Sequence, residues 1–176
     1  MDRPIYDDRV DKPTLTFHGT VKLHGSNTGI VYLPDGTTQF QSRNCVLSRT
    51  SNFAGFVAHM TKHSEHVARL KSEILVAGGA SPDDASPVVA VFGEWCGDTI
   101  QSGVALAQLP KMFVVFAASV DHKWVNMTAL PRIVVENEPA RIYHIHTFGG
   151  WTIDIDFNLP ESSQPELERL TALVGS

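Results

Sequence analysis

The chain has 176 residues, 43% of them hydrophobic, and a formal net charge of −5. That composition supports a folded core, and no apolar run approaches the roughly 20 residues a membrane span needs. The acidic balance argues against nucleic-acid binding through a broad basic surface but leaves open a local basic cleft that meets phosphate.

Only two cysteines occur, Cys45 and Cys96, and Met1-Asp2-Arg3-Pro4 lacks an apolar signal segment, so a reducing cytoplasm is expected. Residues 15–32 read as two β stretches, 14–23 and 28–33. A turn at His24-Gly25-Ser26-Asn27 separates them, since glycine tolerates positive φ and asparagine bonds nearby backbone. Asp35-Gly36 predicts a hairpin into a strand over residues 37–43. Phe53, Phe56, Val57, Met60, Val67, Leu70 and Ile74 recur at helical spacing. They predict one helix over about 52–75, capped by Ser51 and stopped by Gly78-Gly79. A loop rich in Ser, Pro and Asp follows over residues 80–87. Residues 88–95 read as a strand, apolar until Gly93-Glu94, and residues 112–120 as another. Residues 141–147 and 151–157 alternate and flank Gly149-Gly150, which predicts a hairpin. Ser162 or Ser163 then caps a last helix over about 165–174. Mostly strands with two helices, the order predicts an α+β fold built on antiparallel sheets, with no internal repeat.

Four clusters can carry chemistry. Lys22 stands at a predicted strand end before a tight turn, where a lysine is held in place and half exposed. An amine attacks only when deprotonated, which partial burial or a neighbouring cation favours. Asn27 and Ser26 offer hydrogen bonds to a sugar or phosphate. Gln41-Ser42-Arg43-Asn44 brings a planar bidentate donor. Glu94 closes an apolar strand between glycines and needs a ligand hydroxyl, a metal or a cation as partner. Phe113 and Phe116 offer aromatic faces to a base. Taken singly, each has a plain reading: a solvated lysine, an edge-strand arginine, a strand-end glutamate, two core phenylalanines.

Together, Lys22-x-His24-Gly25-x-Asn27, Ser42-Arg43, Gly93-Glu94-Trp95-Cys96-Gly97 and Phe113-x-x-Phe116 stand in the order of the nucleotidyltransferase motifs. From about Thr14 onward the chain resembles the ATP-dependent RNA ligases of the RNA ligase 2 type. DNA ligases and capping enzymes usually carry aspartate where His24 stands. The resemblance implies an antiparallel-sheet adenylation domain of the ATP-grasp-like ligase type, occupying residues 1–176. It implies that Lys22 attacks the α-phosphate of ATP with magnesium (Mg2+) and forms lysyl-AMP. AMP then passes to an RNA 5′-phosphate, and a 3′-hydroxyl seals the strand, as in phage-like RNA repair. By the same resemblance Asn27 and Arg43 contact nucleotide or substrate phosphate, Glu94 holds ribose hydroxyls, Phe116 stacks on adenine with Phe113 in the core, and His24 shapes the turn and the phosphate end. The chain departs from the family in one respect. No Glu-Gly pair follows Trp151 and no lysine stands in the last helix, where the family has a Glu-Gly and a Lys-x-Lys motif. The domain is therefore expected to be incomplete at its C-terminus. The second reading is a non-catalytic nucleotide-binding fragment, or half of a split ligase completed by a second polypeptide.

His59, His63 and His66 share a helix face at spacings that can bind metal, but without a completing Cys or carboxylate, except Glu65 or Glu73, they read as a solvated face, and the metal ligands stay unassigned. His144 and His146 read as a surface pair on one strand face. Asp154 and Asp156 read either as a carboxylate pair or as the outward residues of a half-buried strand. Cys45 and Cys96 are expected to be small buried thiols.

Overall fold

A computed structural model of the chain describes residues 10–128 and 140–174. In chain order its elements are β1 (Thr14–Thr20), β2 (Gly25–Tyr32), β3 (Thr38–Ser42), β4 (Val46–Leu47), α1 (Phe56–Lys62), α2 (Ser64–Ala77), β5 (Val89–Cys96), β6 (Met112–Val120), β7 (Lys123–Trp124), β8 (Ile142–His144), β9 (Gly150–Asp156) and α3 (Gln164–Val174), joined by loops and short 3-10 turns. They fall into two compact units, one of residues 22–147 and one of the two chain ends, up to residue 21 and from residue 148.

The larger unit is a sheet in the order β4-β3-β2-β5-β6-β7, with β8 also beside β6. All its pairings are antiparallel, as expected, except β6 with β8, which adds one short parallel pair. Strand alternation gives the sheet two faces. Val89, Val91 and Trp95 of β5 are buried on one face, while Ala90, Phe92 and Glu94 stay half-exposed on the other. The buried face meets Phe56, Val57 and Met60 of α1 and Val67, Leu70, Ile74 and Leu75 of α2. Phe56 sits at the centre, with its ring 5.3 Å from Phe113 and 5.5 Å from Trp95. Each fully buried side chain of this kind contributes about 1.5–3 kcal/mol. At the end of α2 the Gly79 N–H donates to Val76 O and the Ala80 N–H to Leu75 O, with Gly79 at φ 81°. Gly78-Gly79 thus stops the helix as expected, by a left-handed residue that satisfies its last carbonyls.

In the smaller unit β1 pairs antiparallel with β9, from Thr14 opposite Asp156 to Thr20 opposite Gly150. The Thr16 hydroxyl donates to Asp154 at 2.6 Å, and the Ser163 hydroxyl donates to the Asp154 carbonyl at 3.3 Å. Asp156 accepts from the Asn158 N–H and its side-chain amide, so each carboxylate has a local partner on an alternating strand.

Four expectations are corrected. The chain does not turn at residues 24–27: Gly25, Ser26 and Asn27 already belong to β2 and pair with Cys96, Trp95 and Glu94. Cross-strand pairing overrides local turn propensity there. The single helix over 52–75 is two, because His63, at φ −107° and ψ 35°, ends α1 and opens α2, and residues 53–55 lie in the left-handed region before it. Ser51 caps neither helix; its hydroxyl accepts from the Ser48 N–H instead. The hairpin around Gly149-Gly150 is absent, since β8 runs beside β6 while β9 pairs with β1 in the other sheet. Alternation marks a strand but does not name its partner.

Candidate functional site

On the half-exposed face of the larger sheet a cleft of about 390 Å³ is lined by Gly25, Ser26, Asn27, Ser42, Arg43, Asn44, Phe53, Glu94 and Phe116. Register explains most of it. Asn27 of β2 lies opposite Glu94 of β5, and Glu94 lies opposite Val114 of β6. Gly93 then pairs with Val115 but Phe92 with Ala117, so Phe116 is the extra residue of a bulge. A bulge turns one side chain out of the regular alternation. Here it leaves Phe116 36% exposed at the cleft, while Phe113, three residues earlier, is fully buried. Gly93 makes the bulge possible, because a Cβ there would run into the Phe113 ring and the Val114 carbonyl oxygen. Gly25 has a similar reason, since a Cβ there would meet the Trp95 carbonyl oxygen. It serves close strand approach, not the turn read from the sequence.

Glu94 is the electrostatic centre. Burial pushes its carboxyl above the ordinary range, and the Gly25 hydrogen bond and the electrostatic influence of Arg43, His24 and Lys22 pull it back. The Gly25 N–H donates to its Oε1 at 2.9 Å, and the Gln101 side-chain amide donates to the Gly25 carbonyl at 3.3 Å. Within an acidic chain, Arg43, His24 and Lys22 thus lie near enough to act on this one carboxylate.

Of the six residues singled out from the sequence, Asn27, Arg43, Glu94 and Phe116 line the cleft. Lys22 and His24 do not. Both are exposed in the loop between β1 and β2, close enough for their charge to act on Glu94. Lys22 is therefore not the half-exposed strand-end residue expected. Phe53 was missed, because helical spacing placed it on the core face; it is 38% exposed and lines the cleft. The nearby Gly55 was the only sign of a break before the helix.

Other titratable groups differ from their sequence reading. His59 is half-buried, not solvated. One ring nitrogen bonds the Ala140 carbonyl at 2.7 Å, its ring packs 5.2 Å from Trp95 and 4.7 Å from His63, and burial holds its imidazolium below the usual range. His144 is buried, and its Nδ1 accepts the His146 N–H at 3.1 Å as the two rings stack, so the pair is not a surface one. Cys96 is buried, which pushes its thiol up to about 12, whereas Cys45 is exposed. Among the described residues no group of three or more His, Cys, Asp or Glu is arranged to hold a metal ion. The cleft's one carboxylate does not make a protein cage for magnesium.

No helix among the described residues is long and apolar enough to cross a membrane. The RNA ligase family model matches residues 15–154. A comparison with curated proteins finds none that matches.

Proposed function

The chain belongs to the RNA ligase family, and on that premise we propose that its cleft binds ATP and that Lys22 becomes the AMP carrier. The Lys22 amine, having lost a proton, forms a P–N bond to the α-phosphorus as the bond to pyrophosphate breaks. An RNA 5′-phosphate oxygen then attacks the same phosphorus and releases the lysine. A 3′-hydroxyl next displaces AMP, loses its proton and leaves a phosphodiester. In such transfers the protein supplies alignment and charge neutralisation more than covalent chemistry.

The observation that carries this reading is the convergence of Asn27, Arg43, Glu94 and Phe116, from β2, the end of β3, β5 and β6, on one cleft. Each has a matching task. The Glu94 carboxylate accepts ribose hydroxyls. The Arg43 guanidinium pairs with a phosphate. The Asn27 amide reaches the nucleotide, and the Phe116 ring stacks on adenine. His24 belongs to the phosphate end and favours the RNA ligase 2 type. The sheet would be one wall of an adenylation domain, with RNA ends and ATP as its substrates.

The exposed position of Lys22 outside the cleft lining favours a second reading, a nucleotide-binding module that performs no transfer. ATP labelled at the α-phosphate separates the two. The expected result is label on wild-type protein, chased onto 5′-phosphorylated RNA, and no label on Lys22→Ala. Bound but never covalent label on the wild type would leave the module and remove the ligase.

A further inference from the structure

We propose that Phe53 is the second aromatic wall of this cleft and holds the ATP base against Phe116. The proposal rests on the cleft being the nucleotide site and adds a residue to it.

Of the phenylalanines in the larger unit, Phe56 and Phe113 are fully buried, as an apolar ring in a folded core should be, and Phe40 and Phe92 are partly buried, Phe40 against the core and Phe92 beside Trp124. Phe53 and Phe116 are exposed. They are 38% and 36% exposed, and both line one cleft whose remaining walls are polar: Asn27, Ser42, Arg43, Asn44 and Glu94. Two rings this exposed in one polar cleft can each offer a face to a nucleobase.

The backbone spends effort to put Phe53 there. Phe53, Ala54 and Gly55 have φ of 35°, 53° and 89°, three consecutive residues in the left-handed region. For the two that carry a Cβ this conformation is unfavourable and persists only where surrounding structure holds it. Two side chains hold this turn at one atom. The Ala54 carbonyl oxygen accepts from the Trp95 indole N–H at 3.3 Å and from the Lys111 ammonium at 3.1 Å. Trp95 is 1% exposed and follows Glu94 in β5, and Lys111 also pairs with Asp98 at 3.7 Å. The strand that places Glu94 in the cleft therefore anchors, through its next residue, the loop that presents Phe53. Phe116 arrives by an unrelated device, the β6 bulge. Two independent departures from regular backbone each bring an aromatic ring to one cleft, and its volume of about 390 Å³ suits a single small molecule better than a strand.

Equilibrium dialysis of ATP against a Lys22→Ala parent tests the proposal without any chemistry. Phe53→Ala and Phe53→Leu are expected to weaken ATP binding roughly tenfold, as loss of one stacking face does, while Phe53→Trp restores it. Circular dichroism melts check that each variant is folded, and leucine keeps the apolar bulk if alanine disturbs the loop. Restoration by leucine as complete as by tryptophan would reduce Phe53 to space filling and overturn the proposal. So would unchanged ATP affinity in Phe53→Ala, with or without weaker binding of 5′-phosphorylated RNA. A parent that binds no ATP overturns it too. The ligase reading fails separately, when otherwise wild-type protein binds ATP in a Phe53-dependent way yet forms no covalent AMP.

Discussion

At Glu94, burial and function pull in opposite directions. Burial raises its carboxyl's pKa more than the Gly25 hydrogen bond and the nearby Arg43, His24 and Lys22 lower it, so the folded chain holds this proton to a higher pH than the unfolded chain does. The sign follows: stability falls as pH rises from the unfolded pKa through the folded one, and the penalty is absent below both. Glu94→Gln keeps an oxygen for the Gly25 N–H and removes the charge. It is expected to melt at or slightly above the wild type at neutral pH, by under about 1 kcal/mol because the side chain is partly solvated. The difference should vanish below about pH 4, and AMP transfer should fall sharply. A Glu94→Gln protein that melts well below wild type at pH 7 would mean that the charge stabilises the fold. Arg43 and Glu94 could be singled out in the sequence because chemistry restricts such residues, and both line the cleft. Phe53 could not, because a phenylalanine at helical spacing looks the same whether its backbone continues the helix or turns left-handed just before it.

Elements were legible where hydrophobic pattern and length decide. The strand read over 112–120 is β6 residue for residue, and β5 is displaced by one. Partners were not legible. Gly25-Ser26-Asn27 has turn chemistry yet forms strand because β5 is available to pair with it. The alternating segments around Gly149-Gly150 find partners in different sheets. The bulge at Phe116 is equally silent in the sequence, since it shows only when β6 is laid against β5 and Gly93 is seen to admit the Phe113 ring. Gly93→Ala is therefore expected to lose about 1–3 kcal/mol in urea denaturation, the usual range for forcing extra atoms into packed structure. It should also weaken ATP binding by moving Phe116. A neutral Gly93→Ala would show that the β5–β6 register is looser than the close approach of Phe113 implies.

Over the whole molecule the core lies within residues 22–147, where the helices and the sheet share their apolar side chains. In the unit of chain ends β1 is exposed along its length. Hydrogen exchange should follow that division, slowest at the amides of β5 and β6 and faster in β1 and β9, because protection tracks buried contacts. Equal protection of β1 and β5 would contradict it. Composition foretold the acidic balance, and the gathering of Lys22, His24 and Arg43 about Glu94 needed three segments to meet. The α+β character and four residues that line one cleft, Asn27, Arg43, Glu94 and Phe116, could be picked out from residue type and order in the chain, whereas the placement of Phe53 and the exposure of Lys22 depended on packing.

The most direct test of the central claim is the intact mass of the protein after incubation with ATP and magnesium, for wild type and Lys22→Ala. One added AMP on the wild type, absent from Lys22→Ala and placed on Lys22 by peptide mapping, is the expected result. No added AMP on folded wild type, or an AMP retained when Lys22 is alanine, would contradict Lys22 as the nucleophile.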